Sequence, residues 1–484
     1  MTSFVSATAT QSKERLYLQL YMGVTLAVFL LMLLAGVAMR AAQGTLIELS
    51  PQLFYQIMTL HGAGMVGIAG LAGVSIMWYF LRRHVALTPG IFLANFMLFL
   101  IGVVMILAAI LLGGFGGGWT FLYPLPASSM GLWSNHAAAA FIGGLLIIGV
   151  GFLLFYLDAG RALIARYGSL GRALGLDQLF SGKVDSDHPP AVVASTMVLI
   201  INILGTLAGA VILVMSLINL YLPQVTVDPL WAKNLIYFFG HVFINATIYM
   251  AVIAVYELLP HYTGRPWKMT RPFLAAWAAS TIMVMIVYPH HLLMDMVMPP
   301  WMLIMGQIIS YLSGIPVLLV TAWGTLVQIY RANVNWEAPA RFLVLAVFGW
   351  SVGVIPAIVD GTMMVNKVMH NTLWVPGHFH FYLLLGMLPM ALGFMLHVSR
   401  TPDTRFPALL ERGGFWLFTG SAVAFVFMFL YSGLHSIPRR FAEHLPAWIG
   451  QAQLATLFGT VVLLSLAAFF ILLLKRLPQV RMQA

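Results

Sequence analysis

Twelve stretches of this 484-residue chain run for twenty or more residues with almost no charged side chain, and nothing constrains its fold more. A helix needs about 20 apolar residues to cross the roughly 30 Å of bilayer hydrocarbon, and there its backbone satisfies itself. The runs lie at about 17–39, 53–81, 91–113, 133–157, 190–222, 232–259, 272–297, 301–330, 342–366, 372–398, 413–433 and 452–474. The longest connection, residues 158–189, holds five glycines among scattered charges and is predicted to be a surface loop. Only 8% of the residues are charged, against about 25% in a soluble domain. A water-soluble enzyme is excluded, and the expected fold is an all-α integral membrane bundle of twelve transmembrane helices in one domain.

The formal charge of +10 does not point to nucleic acid, because the basic residues sit singly or in pairs at the ends of the apolar runs. With the N-terminus inside, five of them fall outside, namely Arg40, Lys233, Lys367, Arg439 and Arg440, which leaves 19 of the 24 inside. That asymmetry predicts cytoplasmic termini and a multi-pass protein of a bacterial or archaeal inner (plasma) membrane. The chain has no cysteine, which excludes disulfides, iron–sulfur clusters and thiolate catalysis within it.

Ionisable side chains at membrane depth are costly and mark function. Of 14 histidines, six lie inside apolar runs: His61, His241, His290, His291, His378 and His380. Residues two apart on a helix differ by about 200°, so His378 and His380 face opposite ways and one helix can ligate two cofactors. Neighbours such as His290 and His291 diverge by about 100° and reach one metal only near a helix break, which Pro289 supplies. Neutral imidazoles without thiolate or carboxylate suit copper or haem iron.

Six stretches then resemble subunit I of the haem–copper oxidoreductase superfamily. They are Leu60-His-Gly-Ala-Gly-Met65, Gly118-Trp-Thr-Phe-Leu-Tyr-Pro124, Asn234-Leu-Ile-Tyr-Phe-Phe-Gly-His241, Pro289-His-His291, His370-Asn-Thr-Leu-Trp-Val-Pro-Gly-His-Phe-His380 and Pro438-Arg-Arg440. The pattern is similar to that of B-type oxygen reductases and related nitric oxide reductases. The resemblance implies two haems, b-type favoured, and one copper ion (CuB). His61 and His380 would be axial ligands of a low-spin haem, His378 the ligand of a high-spin haem, and His241, His290 and His291 the CuB ligands. Arg439, Arg440 and His370 would meet haem propionates; ordinary interfacial anchoring is the alternative for the two arginines.

The chain departs from the oxygen reductases where a tyrosine follows the first copper-ligating histidine by four residues: here it has Asn245. The A-type glutamate two residues after that histidine is Phe243. Tyr249 lies about 12 Å further along the helix, and Tyr288 precedes His291 by three residues. Reduction of two nitric oxide molecules to N2O needs no tyrosyl donor, so a respiratory nitric oxide reductase, and with it denitrification, is the leading reading. Asn245 would then hydrogen-bond nitric oxide or metal-bound water, or else pack against a neighbouring carbonyl. The alternatives are a terminal oxygen reductase (cytochrome c oxidase subunit I) and a twelve-helix proton-coupled transporter.

Candidates for a proton path are Tyr249, Tyr288, Asp295, Ser310, Tyr311 and Thr321. With no haem-attachment or cupredoxin motif in the chain, electrons would come from outside. The resemblance implies a second subunit with a periplasmic electron-entry domain carrying dinuclear copper, fed by cytochrome c or a cupredoxin.

Overall fold

The computed structural model describes residues 2–121, 123–295, 297–400 and 409–482. Leu122 of the Gly118–Pro124 stretch and Arg405 of the inward basic set lie outside the described residues. Among the described residues, twelve helices are long and apolar enough to cross a membrane. The first six are α1 (Gln11–Gln43), α2 (Pro51–Leu81), α3 (Pro89–Leu111), α4 (Asn135–Tyr167), α5 (Pro190–Tyr221) and α6 (Pro229–Thr263). They are followed by α7 (Arg271–Leu292), α8 (Pro300–Ile329), α9 (Ala338–Asp360), α10 (Trp374–Val398), α11 (Leu409–Leu434) and α12 (Pro446–Gln479). In place of any sheet among the described residues there is one isolated antiparallel bridge, Thr372 to Pro438.

The sequence writes the helix ends plainly. Pro51, Pro89, Pro190, Pro229, Pro300 and Pro446 stand in first turns, where the N–H that proline lacks has no helical partner anyway. Ser50, Ser134, Asp228 and Thr270 accept from the backbone N–H three residues on, satisfying donors the helix cannot. Gly168 and Gly264 close α4 and α6 with φ of 82° and 66°, a conformation glycine adopts without a Cβ clash.

Neighbours in sequence pack as neighbours in space, and α1 closes the bundle against α12. Gly102 and Gly144 bring α3 and α4 so close that a Cβ at either would fall on the other's carbonyl oxygen, the small-residue contact that membrane helices favour. Burial ranks the spans sharply. In their most apolar stretches α6, α10 and α2 are 89%, 83% and 78% buried, against 17% for α8. The three central helices therefore carry four of the six membrane-depth histidines. α7 tightens into a 3-10 turn over Tyr288–Leu292, and α10 holds one π turn, Leu383–Met387, just past His380.

Several boundaries depart from the apolar pattern, three of them near the loops that carry polar residues. The stretch 158–189 is not a plain loop: α4 continues to Tyr167, and Leu170–Ala173 and Leu176–Ser181 are helical. Asp158 explains the extension. Its buried carboxylate accepts from Thr88 N and Oγ1, both at 2.8 Å, and from Arg161 Nη2 at 2.7 Å, so the charge that suggested a loop is matched at a helix contact. α7 stops at Leu292 rather than 297, after the turn around Pro289. α9 stops at Asp360, and Met363–Met369 forms a separate short helix. Bonds to a charged acceptor contribute about 1.5–3 kcal/mol. Asp158→Ala is therefore expected to lower the thermal midpoint of the detergent-solubilised protein by several degrees, and an unchanged midpoint would show the α3–α4 joint to rest on apolar packing alone.

Candidate metal centre

His241 projects from the middle of α6, while His290 and His291 belong to the 3-10 turn that ends α7. Because Pro289 has no N–H to continue the helix, the chain tightens there and the two adjacent imidazoles swing to one side. Gly306 of α8 makes the room: a Cβ there would stand 3.1 Å from the backbone nitrogen of His290. Ring centroids of His241 lie 4.8 Å from His290 and 5.3 Å from His291, and those of His290 and His291 are 4.2 Å apart. One nitrogen from each falls within 4.8 Å of the others, and Nδ1 of His290 is buried without a partner. Three neutral nitrogen donors fit copper, and zinc as well.

Asn245 does not stand apart as a free amide. Its Nδ2 donates to the His241 carbonyl at 2.9 Å and lies 3.0 Å from His241 Nδ1, so the nitrogen is engaged by its own helix and only Oδ1 is left without a bond among the described residues. Tyr288, a candidate for leaning toward the metal, donates to Asn234 Oδ1 at 2.9 Å. A tyrosine inside the Asn234–His241 stretch, given no role from the sequence, does touch the triad: Tyr237 stacks on His291, with centroids 5.3 Å apart and planes 15° from parallel.

The two histidines of α10 look in different directions, as their spacing requires. His380 stacks on Phe429 of α11 at 4.8 Å, and the Arg40 guanidinium lies 4.7 Å over the same ring. Its Nδ1 meets the Pro376 carbonyl at 2.6 Å, and His61 Nδ1 meets the Met32 carbonyl at 2.7 Å. A carbonyl acceptor puts the proton on Nδ1 and leaves Nε2 as the free donor atom, the arrangement an iron ligand needs. His378 turns toward the end of α9. Its Nδ1 is buried without a hydrogen bond, 3.9 Å from Asp360 Oδ2.

The loop after α11 is pinned over the start of α10 by Leu373 N to Ile437 O at 2.9 Å and Arg439 N to Asn371 O at 3.0 Å. Arg439 is thereby drawn inward. Burial and the neighbouring Arg440 push its guanidinium down to about 10, and its Nε has no acceptor. A half-buried guanidinium whose enclosed Nε lacks an acceptor fits an anionic group such as a haem propionate. Arg440 lies beside it, its carbonyl accepting from Tyr55 Oη at 3.0 Å. Burial, Arg439, His290 and Arg440 together press His370 down to about 3, so its ring is neutral in this basic corner.

The proton-path candidates separate. Lys233 holds the Asp295 carboxyl below the usual range through a 2.8 Å ion pair, making it a strut between α6 and the loop after α7. Tyr311 Oη pairs with Thr362 Oγ1 at 2.7 Å, and Ser310 Oγ is buried and unpartnered. Thr321 Oγ1 lies 2.6 Å from Tyr256 Oη, and Thr263 Oγ1 lies 2.8 Å from Gln328 Oε1. These two pairs build a polar seam between α6 and α8, and Tyr249, on the same face of α6, packs against Trp277 of α7 and Trp350 of α9. Tyr249, Tyr256 and Thr263 recur every seven residues on α6, a face readable from the sequence; their α8 partners were not. Removing one arm of the triad should collapse its affinity: His291→Ala is expected to lose at least about tenfold in copper binding, read as metal per protein after dialysis.

Residues 17–470 match the family described as Cytochrome C and Quinol oxidase polypeptide I. A heme-copper oxidase subunit I+III of Aeropyrum pernix is 24% identical over 452 residues, covering 88% of this chain and 52% of that protein. A cytochrome c oxidase subunit 1 of Cereibacter sphaeroides is 23% identical over 261 residues, 51% of this chain and 44% of that protein. The chain spans about half the length of these two relatives. A solved heme-copper terminal oxidase dimer shares the fold, with a TM-score of 0.76 at 19% identity over 97% of this chain and 85% of that one. With the family match running from α1 into α12, the chain belongs to the cytochrome c and quinol oxidase polypeptide I family, the subunit I of haem–copper oxidases.

Proposed function

We propose that this chain is the catalytic subunit of a respiratory haem–copper reductase that converts two nitric oxide molecules, two electrons and two protons to N2O and water. In this reading His61 and His380 hold a low-spin haem, His378 a high-spin haem, and His241, His290 and His291 a copper ion, with Arg439, Arg440 and His370 at the propionates. Bound there, the metals would supply the electrons and the open positions for a diatomic gas. What the chain itself supplies is placement, exclusion of water and protons. The observation that carries the choice of gas is Asn245, whose amide nitrogen bonds to His241 where an oxygen reductase would have a phenol.

Protons must reach a site walled by apolar side chains, where a charge without partners is costly. The seam from Thr263 and Gln328 through Tyr256 and Thr321 to Tyr249 leads along α6 toward Asn245. Seven residues rise about 10 Å, so waters would complete the relay. Electrons would enter through a second subunit with an outer dinuclear copper domain, supplied by cytochrome c or a cupredoxin, and the termini would face the cytoplasm of a bacterial or archaeal cell.

Oxygen reduction is the second reading, favoured by the named relatives and by Tyr237, whose ring lies on His291. Purified enzyme with a reduced donor distinguishes them: N2O from nitric oxide with negligible oxygen uptake supports the first, brisk oxygen uptake the second. Asn245→Tyr is expected to cut nitric oxide turnover about tenfold or more, while Tyr237→Phe leaves it within about twofold; each tenfold is about 1.4 kcal/mol in the barrier. Loss of oxygen turnover in Tyr237→Phe would establish the alternative. For the haems, His61→Ala should remove the low-spin spectrum and spare carbon monoxide binding at the high-spin haem, and His378→Ala should do the reverse.

A further inference from the structure

We propose that Asp360 is a positioning residue for His378: its carboxylate accepts the Nδ1–H of that imidazole and so makes the ring a stronger electron donor to the iron it holds. The inference rests on His378 being the high-spin haem ligand.

An imidazole that binds metal through Nε2 carries its proton on Nδ1, and that N–H needs an acceptor. His61 and His380 find theirs in the carbonyls of Met32 and Pro376. His378 finds none: its Nδ1 is buried and makes no hydrogen bond. The group that stands by it is a carboxylate, Asp360 Oδ2, at 3.9 Å.

Asp360 is aimed by its surroundings. It is the last residue of α9 and largely buried. Asn366 Nδ2 donates to its carbonyl at 2.7 Å and approaches Oδ1 at 3.4 Å, which leaves Oδ2 for the side of His378. The next residue, Gly361, is wedged under Ser310, where a Cβ would lie 2.9 Å from the serine Cβ, so the end of α9 has a fixed seat. Arg439, whose charge reaches Asp360, makes no side-chain hydrogen bond or ion pair among the described residues and does not divert the carboxylate. The 3.9 Å separation exceeds an ordinary bond of about 2.9 Å, so the two side chains close by about 1 Å when the bond forms.

A carboxylate on the far nitrogen raises ligand basicity and favours ferric over ferrous iron. It would act on one haem alone, since His61 and His380 rest on neutral carbonyls.

The test is Asp360→Asn in the haem-loaded enzyme, followed by resonance Raman and a redox titration of each haem. The iron–histidine stretching band of the reduced high-spin haem is expected to move to lower frequency. The reduced-to-oxidised ratio of that haem at fixed potential should rise about tenfold, about 59 mV for one electron, with the low-spin haem unmoved. Asp360→Glu should keep the band near its native place. An unmoved band, or equal shifts of both haems, overturns the proposal. Should the Asn variant fail to assemble, a cryo-EM map of the native holoenzyme decides: Nδ1 within about 3.2 Å of an Asp360 oxygen supports it, and a gap above about 3.5 Å overturns it. A native enzyme with no iron–histidine band overturns the ligand reading and the proposal together, whereas a native band indifferent to Asp360→Asn overturns only the proposal.

Discussion

Two imidazoles two residues apart on a helix face opposite flanks, and both can be enclosed only if the helix that carries them, α10, stands in the middle of the bundle. On one flank His380 stacks on Phe429 of α11, and His61 of α2 meets the Met32 carbonyl of α1. His378 needs the end of α9 and the triad of α6 and α7 on the other. No peripheral span could meet both demands. The central places of α2 and α6 follow, because each contributes a histidine to one of the two flanks.

The bundle is unequal along its length. From Ile68 to Leu81 in α2, from Ala246 to Tyr256 in α6 and from Leu384 to Val398 in α10 every residue is buried, while the turns that carry the histidines are only half-buried. The histidine-bearing end is therefore the end with internal surface, and the opposite end is packed solid. Within the solid half, the α6–α8 pairs Tyr256–Thr321 and Thr263–Gln328 place hydroxyls and an amide among otherwise apolar packing.

Much of this was legible in the sequence because it is local. Run length gave twelve spans, Pro289 marked the break that turns His290 and His291 together, and the 378/380 spacing gave the opposed rings. Tyr237, one turn before His241, stood within the quoted Asn234–His241 stretch, yet nothing local gave it a role. What stayed hidden depends on contacts between elements far apart in the chain. Asp360 stands by His378 across the short helix Met363–Met369, and Thr321 meets Tyr256 and Asp158 meets Thr88 each across one intervening helix, so no periodicity within a single segment records them. Membership of the haem–copper family sets the transporter reading aside. It leaves the gas to be decided by a few side chains around His241.

The π turn at Leu383–Met387 has a separate bearing on how such a helix can change. By taking one extra residue into a turn it rotates everything after it by about 100° relative to an uninterrupted helix. The two halves of α10 are thus out of phase, like two shafts joined by a coupling. The spacing that aims the imidazoles can be kept fixed while the packing surface below is re-cut, and substitutions in one half do not have to be answered in the other.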